Sequence, residues 1–272
     1  VTLISPSKSE LDAVISNPPQ NLDRILFIAN TITSRQCSTC AETAEFSSAS
    51  LADAVLRLYG PSAGEQVQKF RLFNYTFDNL SSLLEGGDNA GNLSADMTSA
   101  DWIVFGFNDL SKDAQTLEIF RKLFTNRSDL VQNKKVIGFA FNAPYFLDAT
   151  DISKLTAYYA LYSKIPVFVD TAARVLFQEL RPAGSLPVSV PGAGYDLQAA
   201  TTPDPNQIIP LMLDTLQSQP TAAGTPTLEP TPSLSFKEGD TLPIRTGVIR
   251  DHNGNPVPDG TVVRFLIDTR SA

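Results

Sequence analysis

The stretch Arg181-Pro-Ala-Gly-Ser-Leu-Pro-Val-Ser-Val-Pro191 is the point around which the rest of the chain can be interpreted. Pro182 and Gly184 end an amphipathic helix that is predicted to run up to Leu180. From Leu186 to Val190 apolar and small polar residues alternate, and a Pro-Gly pair then stops the alternation. The pattern predicts a helix that passes abruptly into a short strand at the margin of a sheet.

Upstream of this stretch, patterns of buried strands alternate with patterns of amphipathic helices. Three nearly continuous apolar runs predict strands that are buried on both faces: Arg24–Ala29, Asp101–Phe107 and Lys134–Phe141. Helical spacing of apolar residues follows Ser50 and Ser111, which are predicted to begin helices. Strands alternating with helices predict an α/β fold, a three-layer αβα sandwich with a mostly parallel sheet.

The predicted domain organisation has three parts. The α/β domain is expected to cover residues 1–218 and to end after a last helix at about Asn206–Gln217. Residues 219–232 form a linker rich in Pro and Thr, a composition that gives an extended, semi-rigid spacer. Such tracts are common between the modules of exported proteins, so we expect an extracellular or cell-envelope location, in a bacterium.

Beyond the linker, residues 233–272 have the patterns of β structure. Strands are predicted at Thr241–Arg250 and Thr261–Asp268, and Asp251–Asn255 is rich in residues that favour a hairpin turn. The apolar and small polar residues of this region predict part of a β-sandwich.

Composition excludes several classes of partner. The chain has 272 residues, of which 29 are acidic and 21 are basic, with a formal charge of -8 and no run of five like charges. Nucleic acid is not an expected partner, because a phosphate-binding surface needs a basic stripe. No apolar run approaches the roughly 20 residues that span a bilayer, so we expect no membrane span. The start, Val1–Ile4, enters a strand pattern at once, which suggests part of a longer polypeptide.

The order of elements from Val136 to Gly192 resembles the C-terminal α/β domain of glycoside hydrolase family 3. The turn Asn142-Ala-Pro-Tyr145 follows a predicted strand, Ala157–Ser163 and an amphipathic helix come next, and Gly184-Ser-Leu-Pro-Val188 follows the helix. Family members have a Gly-Ser-Pro-Tyr-like turn before a Ser/Thr-Gly-Arg/Lys-Leu-Pro-Val motif, and Asn142-Ala143 departs from the Gly-Ser pair. The resemblance implies an auxiliary domain of a β-N-acetylhexosaminidase-like enzyme, which packs on a catalytic (β/α)8 barrel and acts on a carbohydrate substrate.

The resemblance also implies that this chain alone is inactive. Family 3 enzymes place an Asp nucleophile on the barrel, and the N-acetylglucosaminidase branch adds a Lys-His-Phe-Pro-Gly-His-like motif, and neither motif occurs here. The one histidine, His252, lies in the predicted hairpin turn, so neither a Ser-His-Asp triad nor a two-histidine metal site can be assembled. We therefore expect no catalytic residue, no cofactor and no metal in this chain.

Three residues are candidates for contact with a substrate or with the barrel. Asp109 follows a buried strand, and open α/β sheets bind ligands at the carboxyl ends of their strands. Helix capping is the alternative role for Asp109. Asn142 and Tyr145 follow the next buried strand, where the resemblance implies a turn that faces the barrel or the edge of the substrate cleft.

Cys37 and Cys40 have the spacing of a C-x-x-C motif. A redox site would place the pair at a helix N-terminus after a strand, and a zinc site would need two further ligands. A local disulfide or two free thiols therefore fits the sequence better. An exported location favours the disulfide.

The run Val248–Phe265 resembles the first half of a bacterial immunoglobulin-like domain of the invasin/intimin type. Such a sandwich normally needs about seven strands, so residues 233–272 would be a truncated part of one. One alternative for the whole chain is a non-catalytic module that binds carbohydrate or a cell surface, which exposed aromatic rings would favour. Another is a flavodoxin-like or receptor domain, which a flavin or phosphate bound at the switch point of the sheet would indicate.

Overall fold

The structure is a computed structural model that describes residues 1–35, 37–213, 237 and 239–266. It divides into two compact units, Val1–Leu197 and Gln198–Ala272. The predicted linker at 219–232 lies outside the described residues. In chain order the described strands are β1 Thr2–Ser5, β2 Ile25–Ala29, β3 Ile32–Ser34, β4 Thr43–Phe46, β5 Leu72–Tyr75, β6 Trp102–Phe107, β7 Lys135–Ala140, β8 Ala157–Ala160, β9 Leu211–Leu213 and β10 Ile244–Thr246.

Helices occupy most of the chain between these strands. The α-helices are α1 Leu11–Val14, α2 Ser48–Tyr59, α3 Phe77–Glu85, α4 Leu93–Ser99, α5 Ala114–Asn126, α6 Ala149–Ser153, α7 Pro166–Leu176 and α8 Leu197–Ala200. Short 3-10 helices cover Lys69–Arg71, Asp88–Ala90, Ser128–Leu130 and Pro191–Ala193.

A six-stranded sheet is the framework of the first unit, with the order β1-β8-β7-β6-β2-β5. β1 runs antiparallel to β8, and all other neighbours are parallel. β3 and β4 form a separate antiparallel hairpin. The mostly parallel sheet of the prediction is confirmed, and every residue of β2, β6 and β8 is buried, as expected for strands with helices on both faces.

Two apolar clusters, one on each face of the sheet, hold the helices in place. On one face α2 and α7 pack through residues such as Val55 and Val169. On the other face α3, α4 and α5 pack through residues such as Leu80, Met97 and Phe120. These two layers of helices complete the predicted three-layer sandwich.

The strand that was predicted after α7 is wrong. Leu186–Val190 is not a strand: within it only Val190 forms a bridge, to Tyr195, and the preceding Gly184 forms a single bridge to Thr2. Pro187 lies inside the alternating run and has no backbone N–H to donate to a ladder.

The predicted helix starts are displaced by a few residues. The N-cap of α2 is Ser47, and Ser50 supplies the second half of its capping box. The N-cap of α5 is Asp113, whose carboxylate accepts a hydrogen bond from the backbone N–H of Thr116 at 3.0 Å. Ser111 lies in the preceding turn.

The described part of the second unit contains the antiparallel pair β9 and β10. The predicted turn at Asp251–Asn255 is confirmed: the Asp251 N–H donates to the Asn255 carbonyl at 2.8 Å, and the Asp251 carboxylate accepts from the Asn253 and Asn255 N–H groups. The helix predicted from Asn206 is wrong over the described residues up to 213, where Pro210 precedes β9. Residues 261–266 are likewise not a strand.

Candidate ligand site at the carboxyl edge of the sheet

The sheet of the first unit has a topological switch point between β2 and β6. The chain passes from β2 to β5 on one side and then returns to β6 on the other side of β2. The connections that leave β2 and β6 therefore diverge, and in open α/β sheets a ligand-binding crevice forms at such a point. A cavity of about 450 Å³ lies there.

Polar side chains from four segments line this switch-point cavity. They come from the ends of β2 and β6 and from the first turns of α3 and α5. The charged residues of the lining are three aspartates and one lysine: Asp78, Asp109, Asp113 and Lys112. The cavity therefore carries a net negative lining with amide and hydroxyl groups between the charges.

Asn30 connects the end of β2 to the start of α5. Its side-chain N–H groups donate to Asp113 Oδ2 at 2.9 Å and to Thr116 Oγ1 at 2.7 Å. Thr116 Oγ1 in turn donates to Asp113. This network fixes the Asp113 carboxylate at the cavity wall while it caps α5, so the position of the acceptor is set by secondary structure.

Asp109 lies in the turn that follows β6 and lines the cavity. Its carboxylate accepts a hydrogen bond from the Ser111 hydroxyl and forms an ion pair with Lys112 Nζ at 3.2 Å. The hydrogen bond from Ser111, followed by the contacts with Lys112, holds the pKa of Asp109 below its usual value. At neutral pH Asp109 is therefore an ionised acceptor rather than a proton donor.

Asn30, Asp113 and Asn108 were not predicted as residues of this site, and Asn108 is the most unusual of them. Both polar atoms of its side-chain amide are buried, and neither has a hydrogen-bond partner among the described residues. A buried amide without partners costs free energy of about 1–3 kcal/mol. Unpaired polar groups of this kind are expected where water or a ligand group completes the site.

Asn142 and Tyr145 follow β7, at the same edge of the sheet as Asp109 but outside the lining of the cavity. The Asn142 side chain is exposed, and Tyr145 is half-buried. Burial raises the pKa of the nearby Tyr162 phenol, and the Tyr145 hydroxyl adds to this effect. The structure therefore separates the three predicted site residues into Asp109 at the cavity and an aromatic group after β7 and β8.

This aromatic group is partly open to solvent. Phe146 follows β7 and Tyr162 follows β8, and each has 39% of its surface exposed. Tyr162 has a φ of 62°, a left-handed conformation that residues other than glycine rarely adopt. Backbone strain of this kind is concentrated at functional sites, which makes the ends of β7 and β8 a second polar-aromatic surface to test.

Cys37 and Cys40 are joined by a disulfide within the exposed connection between β3 and β4. Within the described ranges, no group of three or more His, Cys, Asp or Glu side chains is arranged to hold a metal ion. None of the helices in those ranges is long and apolar enough to cross a membrane.

No protein-family model matches the sequence, and no curated protein matches it. One solved structure similar to the chain is a fungal multi-domain GH3 β-N-acetylglucosaminidase with a GCN5-related glucosamine N-acetyltransferase region. The two sequences are 18% identical, the match covers 72% of this chain and 18% of that chain, and the TM-score is 0.42. A glycoside hydrolase family 3 β-N-acetylglucosaminidase from a Paenibacillus species is 14% identical over 63% of this chain and 28% of that chain, with a TM-score of 0.41. The chain thus spans less than a third of either structure, and likenesses at these TM-scores do not assign a family.

Proposed function

We propose that the chain is the auxiliary α/β domain of a glycoside hydrolase of the β-N-acetylglucosaminidase type, and that the carboxyl edge of its sheet faces carbohydrate. The observation that carries this proposal is the switch-point cavity, whose lining combines carboxylates, amides and hydroxyls. Sugar hydroxyls both donate and accept hydrogen bonds, so a neutral sugar matches such a lining. The ionised Asp109 and Asp113 would accept from hydroxyls, and the unpaired Asn108 amide offers a donor and an acceptor once its side chain turns into the cavity.

The sequence supports the family in this proposal. The turn Asn142–Tyr145, the helix α7 and the segment Gly184–Val188 follow one another in the order of the glycoside hydrolase family 3 domain. Asn142 and Tyr145 would contact the barrel or the edge of the substrate cleft, and Asp109 would lie beside them on the same edge. The catalytic groups would come from the barrel, so this chain alone would have no hydrolase activity.

A phosphate or flavin ligand fits the same cavity less well. The five parallel strands have the order β5-β2-β6-β7-β8, which is the strand order of flavodoxin-like folds. An anionic ligand, however, would meet Asp78, Asp109 and Asp113, and the nearby Lys112 is already paired with Asp109. Coulomb repulsion therefore favours a neutral ligand at this site.

A non-catalytic carbohydrate-binding module is the second candidate. It is favoured by the partly exposed rings of Phe146 and Tyr162 beside Tyr145, because sugars stack on aromatic faces. Both functions predict sugar binding at the carboxyl edge. They differ in whether a longer protein that contains this chain turns over a glycoside.

The test is a pair of hydrolysis assays, on aryl β-N-acetylglucosaminide and aryl β-glucoside, of this chain and of the longer natural reading frame that contains it. We expect turnover only by the longer protein, with a preference for the acetamido sugar. If neither protein is active, the binding-module function is favoured. Turnover by this chain alone would refute the auxiliary role.

A variant of the longer protein tests the carboxyl edge itself. Asp109→Ala should lower kcat/KM by roughly 10- to 100-fold if this edge positions substrate or barrel, because small displacements of reacting groups are costly. The matched control is Asp129→Ala, a substitution of an exposed aspartate just before β7, at the opposite end of the sheet. Equal effects of the two substitutions would exclude a specific role for Asp109.

The remaining organisation is proposed on the sequence. The sequence places the α/β domain at 1–218, a linker at 219–232 and the start of an immunoglobulin-like module at 233–272. In the structure β9 pairs with β10 within the second compact unit, so the α/β domain would end between residues 197 and 218. An extracellular or cell-envelope location would suit the disulfide between Cys37 and Cys40, because disulfides persist in oxidising compartments. Limited proteolysis with mass mapping tests the boundary: cleavage confined to 219–232 supports it, and cleavage that begins inside the first unit contradicts it.

A further inference from the structure

A second cavity of the first unit lies away from the carboxyl edge. It has a volume of about 250 Å³ and is bounded by α1, by the C-terminal end of α7 and by Trp102, the first residue of β6. Because Trp102 begins a parallel strand, this amino-edge cavity is near the end of the sheet opposite the candidate sugar site. Nothing in the proposed function uses it.

The inner walls of the amino-edge cavity are apolar. They include Leu3, Ile15, Ile137, Val175 and Leu176, all of which are buried. In another protein an enclosed apolar cavity of about 150 Å³ has room for benzene. The larger volume here accommodates a substituted ring or a short alkyl chain.

One polar group in this lining is not satisfied by the protein. Tyr159 stacks on Phe139 at a ring-centroid distance of 5.4 Å, and its hydroxyl makes no hydrogen bond to a described residue. Burial raises the pKa of this phenol, so it is a neutral donor over the physiological range. The Tyr159 oxygen is not among the buried polar atoms without a partner, so water reaches it, and a ligand oxygen in the cavity would take the place of that water.

The mouth of the cavity is positively charged. Lys8 and Arg181 both belong to the lining, and both are exposed. Arg181 forms one exposed ion pair with Asp12 at 3.3 Å, and Lys8 has no ion-pair partner in the described part of the chain. The two cations against one carboxylate leave a net positive charge, which selects an anionic group at the entrance.

We propose that the amino-edge cavity binds a small amphipathic carboxylate with an oxygen atom at the end opposite its carboxylate. The apolar body of the ligand would lie between α7 and the sheet. Its distal oxygen would accept a hydrogen bond from the Tyr159 hydroxyl, and its carboxylate would face Lys8 and Arg181. This places a second ligand site on the domain, with a chemistry different from that of the acidic switch-point cavity. It stands or falls independently of the proposed sugar site.

The proposal is tested by titrating the full chain with hydroxyphenylpropionate and following backbone amide signals by NMR. We expect shifts in residues around Tyr159 and Val175. Phenylpropionate, which lacks the distal oxygen, should bind roughly threefold to tenfold more weakly, the range for one net hydrogen bond. Tyr159→Phe keeps the ring and should abolish this preference. A preference that survives in Tyr159→Phe overturns the assigned contact.

Charge reversal tests the entrance. The double variant Lys8→Glu, Arg181→Glu should weaken hydroxyphenylpropionate binding by roughly tenfold and should favour tyramine, which has an ammonium group instead of the carboxylate. The matched control, Arg35→Glu with Lys122→Glu, changes the net charge equally at exposed positions outside the lining. Equal weakening by both double variants, or no saturable shifts at the cavity in the unmodified chain, overturns the proposal. Thermal unfolding of each variant verifies that the fold is intact.

Discussion

The two units of the molecule use apolar residues in opposite ways. In the first unit, strands such as β2 and β6 are buried along their whole length beneath helices. In the described part of the second unit no apolar side chain is buried, and Leu211, Ile244 and Phe265 are between 47% and 62% exposed. Apolar burial is the main source of folding free energy, so the stability of the described chain rests on the first unit.

The largest expected effect tests this contrast with two phenylalanines. Phe120 is fully buried and makes edge contacts with Phe105 and Phe107 at ring-centroid distances of 5.2 and 5.4 Å. Phe120→Ala should lower the free energy of unfolding by about 3–5 kcal/mol, because it leaves a cavity in the core. Phe265→Ala should change it by less than about 0.5 kcal/mol. Guanidinium denaturation of both variants measures the difference, and similar losses would show that the second unit has a core of its own.

A smaller effect is expected at the polar link between α5 and α6. Asp151 is 1% exposed, and its carboxylate accepts three hydrogen bonds from Arg121, at 2.6 to 3.1 Å. Asp151→Asn should lower the free energy of unfolding by about 2 kcal/mol, since a buried partner is lost but Arg121 keeps access to water. Asp129→Asn removes an exposed pair with Arg127 and should have almost no effect. A negligible loss of unfolding free energy in Asp151→Asn would show that this contact does not stabilise the first unit.

The effect of Asp151 should depend on pH. Burial alone would raise the pKa of this carboxyl group, but the hydrogen bond and charge of Arg121, with the charge of Lys154, lower it overall. Because the native pKa is below the unfolded value of about 3.9, the ionised carboxylate stabilises the fold fully above that pH. Its contribution is lost as pH falls through the native pKa. The stability difference between the unmodified chain and Asp151→Asn should therefore shrink in urea denaturation at pH 3 compared with pH 7.

The smallest effect compares one capping group from each unit. Ser47 Oγ accepts from the Ser50 N–H at 3.3 Å at the start of α2, and Ser47→Ala should lower the free energy of unfolding by about 1 kcal/mol. Asp251 caps the hairpin turn of the second unit. Asp251→Ala should change the free energy of the main unfolding transition by less than about 0.5 kcal/mol. A shift of the main transition by Asp251→Ala would contradict the assignment of stability to the first unit alone.

Much of the fold could be predicted from the sequence because the central strands are apolar throughout. After their charged first residues, the runs Arg24–Ala29, Asp101–Phe107 and Lys134–Phe141 have no polar face, which is typical of strands covered by helices on both sides. Alternation of apolar and polar residues in shorter runs predicted strands less reliably. Leu186–Val190 contains a proline that removes a ladder donor, and residues 261–266 have the composition of a strand without forming one.

The candidate site was only partly predictable. Asp109 could be found because it follows a buried strand, and Asn30 follows another one in the same way. What the sequence does not contain is the order of strands, which brings the ends of β2 and β6 together and places Asp113 beside Asn30. The unpaired amide of Asn108 depends on packing in three dimensions and has no counterpart in the sequence pattern.

The strand β1 covers the edge of the sheet that β8 would otherwise form. It pairs with β8, and Gly184 fits so closely against it that an added Cβ would lie 2.8 Å from the Val1 carbonyl oxygen. Without β1, the buried strand Ala157–Ala160 would become an open edge, with unpaired backbone groups that can accept a strand from another copy. The opposite edge, β5, has only four residues and follows a turn with two basic side chains, features that discourage such pairing. Detachment of the first five residues would thus be expected to let two copies of this protein pair through β8.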